Sequence, residues 1–265
     1  MLEAMLLGML QGLTEFLPIS SSGHLGLAEL LFDVEGAGLA LNVMLHAGTL
    51  VSIVIVLRNR LFGPLVEGVR GIAAPRRFTE TPGGRDALFV VVATLPTAVI
   101  GLVLRDWVER ATHSPVFVGL GFAVTGAVLV STRWVKPGSL TVPGVRGALL
   151  IGLCQGIAVL PGISRSGATI AAALWTGVRA DRAFELSMLM SVPAVLGAVI
   201  LELPRVDASV GGFGMAGLGA GISCLVGIAA LWLLSRLVRA NRLHWFAVYV
   251  FPLAVATLAM AWVWP

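Results

Sequence analysis

The hydrophobic pattern divides the chain into long apolar stretches that are separated by short polar segments. A transmembrane helix needs about 20 mostly apolar residues, and six stretches meet this requirement. They lie at about residues 39–57, 86–104, 115–133, 184–203, 215–236 and 245–264. The pattern therefore predicts an all-α integral membrane protein with six transmembrane helices.

Two further apolar stretches, residues 2–31 and 147–177, are interrupted near the middle by proline, glycine and serine. The interruptions read PISSSG from residue 18 and PGISRSG from residue 161. Each half has only about 10–14 residues, which is too short to cross a bilayer. We therefore expect each stretch to form a re-entrant helical hairpin, which returns to the side of the membrane from which it entered.

The composition agrees with a membrane protein, since 57% of the residues are hydrophobic and only 12% are charged. Soluble domains carry about 25% charged residues, so a soluble enzyme, a disordered protein and a nucleic-acid-binding protein are all excluded. The net charge of +4 is better explained as a topology signal. Residues 59–85, which are rich in Arg, Gly and Pro, are predicted to form the longest loop.

The basic residues also predict an orientation in the plasma membrane. If both hairpins return to their own side, fourteen of the 18 Lys and Arg residues lie on one side and three on the other. The remaining one, Arg165, lies inside the second hairpin. The positive-inside rule predicts that the side with fourteen basic residues is cytoplasmic. The first hairpin and its site should therefore open to the outer face.

The two interrupted stretches are similar to each other at an offset of 144 residues, without a gap. Gly8, Gln11, Gly12, Ile19, Ser20, Ser22 and Gly23 each have an identical residue 144 positions later. Each copy would be a hairpin followed by three spans, so residues 147–265 would be inserted upside down relative to residues 1–133. This predicts a single membrane domain that is built as an inverted-topology repeat, with the two hairpin tips meeting near the midplane.

Ionisable residues at the two interruptions are candidates for function, because charge inside a membrane is costly. Gln11 and Glu15 are four residues apart and therefore share one helix face. Any serine of the first interruption could cap the following helix half, and His24 lies on its first turn. Arg165 stands in the middle of the second interruption.

These side chains suit phosphate chemistry. Helix N-termini attract anions, and Arg165 can bind a phosphate through two N–H groups. Ser21 or a neighbouring serine could attack phosphorus if His24 removes its proton. Glu15, together with Gln11, could hold a divalent cation or position a base, and such oxygen ligands favour Mg²⁺ or Ca²⁺.

The sequence resembles the undecaprenyl-pyrophosphate phosphatase family of the BacA/UppP type over essentially the whole chain. The strongest motifs are QGLTEFLPISSSGH at residues 11–24 and LPGISRSGAT at residues 160–169, and LHAGTL at 45–50 and TLPTAVIG at 94–101 are also similar. The resemblance implies a membrane hydrolase that removes the terminal phosphate of a polyprenyl diphosphate. It thereby recycles the lipid carrier for cell-wall or glycan synthesis, and its overproduction confers bacitracin resistance.

The resemblance also implies roles for individual residues. Ser21, His24, Glu15 and Arg165 would be catalytic, and Glu15 with Gln11 would hold the Mg²⁺ or Ca²⁺. The hydroxyl groups expected to contact the diphosphate are those of Ser20, Ser22, Ser164, Ser166 and Thr169. Many relatives carry Glu at the position of Gln11, so this chain has one carboxylate fewer. We expect the lipid substrate and membrane lipids as partners, and a homodimer as the assembly.

Alternatives remain open at this point. We expect Ser21 to attack phosphorus with His24 as the base, but His24 or water could be the nucleophile instead. A flippase for polyprenyl phosphate is the rival function, because inverted repeats and broken helices also occur in transporters. Transport alone gives no reason for Ser21, His24 and Glu15 to occur together, so the residues favour hydrolysis.

Overall fold

The computed structural model describes residues 1–32, 39–205 and 213–263. These ranges are helical, apart from connecting segments and one isolated β-bridge between Leu140 and Val178. Within these ranges, six helices are long and apolar enough to cross a membrane: Ala40–Ala73, Pro82–Val103, Pro115–Trp134, Ala180–Glu202, Gly214–Arg239 and Leu243–Trp262. Each overlaps one predicted span, which confirms an all-α, multi-pass membrane protein.

The helices are numbered in chain order. The first half contains α1 (Leu2–Phe16), α2 (Ser21–Phe32), α3 (Leu39–Ala73), α4 (Arg77–Glu80), α5 (Pro82–Val103), α6 (Arg105–Thr112) and α7 (Pro115–Ser131). The second half contains α8 (Val145–Ile157), α9 (Arg165–Trp175), α10 (Ala180–Glu202), α11 (Phe213–Arg239) and α12 (Ala247–Val263).

The prediction of a long loop over residues 59–85 was wrong. Helix α3 continues through a kink at Leu57, where φ is −109° and ψ is 16°, and most of the remaining segment belongs to α4 and α5. A Cβ atom on Gly83 would lie 2.9 Å from the carbonyl oxygen of Gly63. Glycine in this segment therefore permits close packing between helices, whereas the composition alone suggested an irregular connection.

The two interrupted stretches form two pairs of short helices, α1 with α2 and α8 with α9. Both breaks end in the same kind of cap. The Ser20 hydroxyl accepts a hydrogen bond from the Gly23 N–H at 3.3 Å, and the Ser164 hydroxyl accepts one from the Gly167 N–H at 3.1 Å. A serine at this position satisfies an N–H that has no partner within the helix, so each serine defines where the second helix of its pair begins.

The first helix of each pair packs against a span from the other half of the chain, α1 against α11 and α8 against α5. Matching glycines allow both contacts. A Cβ atom on Gly8 would lie 2.6 Å from the Gly219 carbonyl oxygen, and one on Gly152 would lie 2.1 Å from the Ala93 carbonyl oxygen. Any larger residue at Gly8 or Gly152 would push these helices apart.

The most completely buried part of the molecule surrounds α9 and α10. Ile170, Leu186 and Met188 have no exposed surface, and α10 is the most buried of the six candidate spans. Because α9 begins at Arg165, this packing holds the arginine at a fixed place in the protein interior.

Candidate active site

Glu15, on the last turn of α1, lies at the centre of the candidate site. Its Oε1 accepts a hydrogen bond from the Arg165 guanidinium, which comes from the second break. Its Oε2 accepts hydrogen bonds from the Ser21 hydroxyl at 2.7 Å and from the Gln11 amide at 3.0 Å. One carboxylate therefore connects both breaks and contacts three of the residues that the motifs single out.

The first break is shaped by an unusual backbone conformation at Ser20. Its φ is +69°, in the left-handed region that residues other than glycine rarely adopt. The turn brings the Ser20 hydroxyl to the start of α2, where it also lies 3.3 Å from the Ser22 hydroxyl. Strained backbone of this kind is often retained at functional sites.

The second break is held by a threonine that the sequence did not indicate. The Ser164 N–H donates to the Thr125 hydroxyl at 2.9 Å, and that hydroxyl donates to the Gly162 carbonyl at 2.8 Å. Ser164 and Ser166 place their hydroxyl oxygens 3.2 Å apart. Thr125, on α7, therefore fixes the backbone that presents both serines.

Thr169, which is expected to contact the diphosphate, has its hydroxyl bonded to neighbouring protein groups. Its hydroxyl donates to the Arg165 carbonyl at 2.8 Å and lies 2.6 Å from the Ser187 hydroxyl. Among the described residues, no hydrogen bond joins Thr169 to Glu15. Thr169 thus connects the helix that carries Arg165 to α10.

His24 is close to the site but is not bonded to the expected serine. Its Nδ1 lies 2.7 Å from the Ser20 carbonyl oxygen, and its Nε2 lies 2.8 Å from the Tyr249 hydroxyl. Within the described ranges, no hydrogen bond links His24 to Ser21. Since Ser21 donates to Glu15 instead, the carboxylate is the group placed to receive the serine proton.

His46 is a further member of the site that the sequence pattern did not assign. Its Nδ1 lies 2.9 Å from the Gln11 amide nitrogen and 3.7 Å from Glu15 Oε2. The sequence signals were its place in the LHAGTL motif at residues 45–50 and its position at the outer end of its span, on the side where the first hairpin opens. The Glu15 side chain is 2% exposed, whereas those of Arg165 and His46 are 22% and 35% exposed. A ligand can therefore approach the carboxylate from the side of Arg165 and His46.

A divalent cation would find two oxygen ligands here. Glu15 offers its carboxylate, and the Gln11 Oε1 is buried without a hydrogen-bond partner, which is unusual for a buried acceptor. No group of three or more His, Cys, Asp or Glu residues in the described ranges is arranged to hold a metal. Mg²⁺ is commonly held by one or two carboxylates together with substrate phosphates. The residues therefore fit a cation that takes some of its oxygen ligands from the protein and the others from a bound diphosphate.

A second buried ionic cluster lies outside this site. The Arg182 guanidinium donates to Asp86 at 2.5 Å, to Glu185 and, through Nε, to the Thr141 carbonyl at 3.1 Å. Arg60 adds an ion pair to Glu185 at 3.1 Å. The cluster joins α3, α5 and α10, and its two cations balance its two carboxylates.

The fold and the site together define a multi-pass helical membrane protein whose polar centre forms where two helices are interrupted. The chain belongs to the family described as Bacitracin resistance protein BacA, whose model matches residues 4–256. This confirms the family that the motifs indicated.

Curated relatives cover nearly the whole chain. The undecaprenyl-diphosphatase of Desulforapulum autotrophicum is 39% identical over 271 residues, with 98% of both chains covered. That of Desulfatibacillum aliphaticivorans is 40% identical, again over 98% of both chains. The undecaprenyl-diphosphatase of Korarchaeum cryptofilum is 37% identical and covers 97% of this chain and 98% of its own.

Proposed function

We propose that this protein hydrolyses undecaprenyl diphosphate to the monophosphate and inorganic phosphate, and so recycles the lipid carrier for cell-wall or glycan synthesis. The names and full-length similarity of the relatives support the reaction. The observation that carries the proposal is the 2.7 Å hydrogen bond from Ser21 to a carboxylate that also binds Arg165. Three residues suited to act as nucleophile, proton acceptor and phosphate ligand are thereby in contact.

Substrate binding would use the groups that surround Glu15. The Arg165 guanidinium would exchange its contact with Glu15 for phosphate oxygens, because a bidentate arginine–phosphate pair is favourable. The N-termini of α2 and α9 would add N–H donors and positive dipole ends. The remaining donors would be the hydroxyl groups at the two helix starts: Ser20, Ser22, Ser164 and Ser166.

The chemical step would begin at Ser21. Its oxygen would attack the terminal phosphorus while its proton passes to Glu15. The bond from that phosphorus to the bridging oxygen would break, and undecaprenyl monophosphate would leave with the bonding electrons. Water would then attack the phosphoserine and give a proton to His24. The bond from phosphorus to the Ser21 oxygen would break, and that oxygen would take back the proton from Glu15 as phosphate is released. His24, which the sequence favoured as the base for Ser21, would serve the proton transfers of this second half-reaction.

A divalent cation would assist the protein groups. Glu15 and the Gln11 carbonyl oxygen would hold Mg²⁺ or Ca²⁺, which when bound supplies positive charge to the diphosphate oxygens. Arg165 and the helix N-termini supply the rest of that charge from the chain itself, in a site where Glu15 is almost fully buried.

The proposal also includes the membrane topology, with two re-entrant hairpins and an inverted repeat. The paired helices have 15 and 12 residues in the first pair and 13 and 11 in the second. At 1.5 Å per residue each is shorter than the roughly 30 Å hydrocarbon core, which supports two re-entrant hairpins.

The matched serine caps and glycine contacts support an inverted-topology repeat of residues 1–133 and 147–265. The charge distribution supports a plasma-membrane location with the site open to the outer face. A homodimer stays a prediction.

The direct experiment is phosphate release from undecaprenyl diphosphate by the purified protein in detergent, with and without Mg²⁺ or Ca²⁺. We expect metal-dependent release that Ser21→Ala abolishes. Ser131→Ala is the matched control, because the Ser131 hydroxyl donates only to the nearby Val128 carbonyl outside the site. If Ser21→Ala still releases phosphate, Ser21 is not the nucleophile, and His24 or water attacks phosphorus instead.

The same experiment distinguishes hydrolysis from the alternative function, a flippase. Transport requires a membrane with two sides, whereas hydrolysis proceeds in detergent. Absence of phosphate release by folded wild-type protein would overturn the hydrolase proposal and favour transport of polyprenyl phosphate.

A further inference from the structure

We infer that Tyr249 is a positioning residue that acts through His24 and fixes the orientation of its imidazole. The inference rests on the proposed function, in which His24 transfers protons. Tyr249 lies on α12, far from both breaks in sequence, yet its hydroxyl oxygen is 2.8 Å from His24 Nε2. The two rings are stacked, with centroids 5.8 Å apart and an interplanar angle of 12°.

The hydrogen bonds of His24 define which nitrogen carries the proton. The Ser20 carbonyl oxygen can only accept, so Nδ1, at 2.7 Å from it, must be the N–H of the neutral ring. Nε2 is then the acceptor and receives the hydrogen bond of the Tyr249 hydroxyl. When Nε2 takes up a proton, the same hydroxyl can turn and accept from it. Tyr249 is therefore a partner for both protonation states, which a phenylalanine is not.

Packing holds the imidazole on its other sides. The Phe122 ring and the imidazole form a T-shaped pair, with centroids 5.3 Å apart and an interplanar angle of 78°. Gly23 leaves room for Phe122, since a Cβ atom there would lie 2.6 Å from the ring. Among the described residues, Tyr249 supplies the only hydrogen bond to Nε2, so loss of its hydroxyl frees the ring at the atom that exchanges protons.

The kinetic test is Tyr249→Phe, which keeps the stacked ring and removes only the hydroxyl. We expect kcat for phosphate release to fall about 10- to 100-fold, which is less than the roughly 10²- to 10⁴-fold that a general acid–base group itself contributes, because Tyr249 acts only through His24. KM should change less than about threefold, because the hydroxyl is absent from the binding groups. In a His24→Gln background, Tyr249→Phe should have no further effect. A wild-type kcat in Tyr249→Phe, or an equal loss in both backgrounds, would overturn the inference.

A second measurement does not depend on activity. Tyr249 is the only tyrosine of the chain, so protein labelled with ¹³Cζ-tyrosine gives one NMR resonance, and it reports this hydroxyl. We expect His24→Gln to shift the resonance and His113→Gln, a matched change at the end of α6, to leave it in place. An unshifted resonance in His24→Gln would contradict the contact. Inactive wild-type protein with a shifted resonance would count against the proposed hydrolysis and leave the contact intact.

Discussion

The two buried ionic clusters contain similar residues in very different surroundings. In the Arg182 cluster, the guanidinium reaches two carboxylates and a backbone carbonyl, and Arg60 completes the charge balance. In the Glu15 cluster, the carboxylate and Arg165 stand beside two serine-capped helix starts, and an acceptor on Gln11 is left without a partner. Among the described residues, no buried side-chain polar atom of the first cluster lacks a hydrogen-bond partner, whereas the second has the Gln11 Oε1 available for a ligand.

The comparison separates a structural role from a functional one. A buried ion pair is expensive to desolvate and is strongly destabilising when one partner is removed. The Arg182 side chain is 10% exposed and that of Arg165 is 22% exposed. We therefore expect substitutions in the Arg182 cluster to affect stability first, and substitutions in the Glu15 cluster to affect activity first.

The largest expected effect on activity is that of Arg165→Ala. Arginines that stabilise phosphoryl-transfer transition states contribute about 10³-fold or more, so phosphate release should fall by at least that factor. The protein should remain folded, because Glu15 keeps its hydrogen bonds from Ser21 and Gln11. Turnover near the wild-type rate, measured in detergent at saturating substrate, would show that Arg165 does not bind the phosphate.

The matching change in the other cluster is Arg182→Ala. It leaves Asp86 and Glu185 buried with only Arg60 nearby, and the free energy of unfolding should fall by about 3–5 kcal/mol. Denaturant titration of both arginine variants in the same detergent checks this difference. If Arg165→Ala proved the more destabilising of the two, the division between the clusters would be wrong.

Replacing each arginine by lysine sharpens the comparison, because the charge is kept and the forked geometry is lost. Arg165→Lys should lower phosphate release about 100-fold, at the lower end of what the loss of one well-placed donor costs because the charge is kept, with little change in stability. Arg182→Lys should keep most activity and lower the unfolding midpoint, since one ammonium replaces a guanidinium that reaches three acceptors. Equal effects of the two lysine variants on activity would contradict the assignment of a functional role to Arg165 and a structural role to Arg182.

The smallest effect is expected for Gln11→Glu. The change replaces the unpartnered amide oxygen with a second carboxylate beside Glu15, so the concentration of Mg²⁺ or Ca²⁺ needed for half-maximal release should fall a few-fold. Gln11→Leu, which removes the oxygen, is the paired variant and should raise that concentration. An unchanged metal dependence in both variants would exclude Gln11 from cation binding.

The sequence allowed a large part of this account to be predicted, because membrane helices and helix breaks depend on local pattern. The six spans, the two interruptions and the family followed from runs of apolar residues and from short motifs. The contact between Glu15 and Arg165 also agrees with the expectation that both breaks serve one site. Such features are visible in sequence because buried charge and serine-capped helix starts are rare inside apolar stretches.

The rest depends on tertiary packing that no local pattern encodes. His46, Thr125 and Tyr249 reach the site from α3, α7 and α12, and each occurs in an otherwise ordinary apolar helix. The sequence favoured His24 as the proton acceptor for Ser21, and no local pattern showed that the Ser21 hydroxyl donates to Glu15 instead. Residues 59–85 looked like a loop, since glycine that serves helix packing has the same composition signal as glycine in a turn.

The central claim is that hydrolysis proceeds through a covalent phosphoenzyme, which the account places on Ser21, and the stereochemical course at phosphorus tests the covalent intermediate most directly. Wild-type protein would be given undecaprenyl diphosphate whose terminal group is a chiral, oxygen-isotope-labelled thiophosphate, and the configuration of the released thiophosphate would be determined. Two successive in-line displacements, by Ser21 and then by water, predict retention of configuration. Inversion would mean that water attacks the substrate directly, and it would contradict the account.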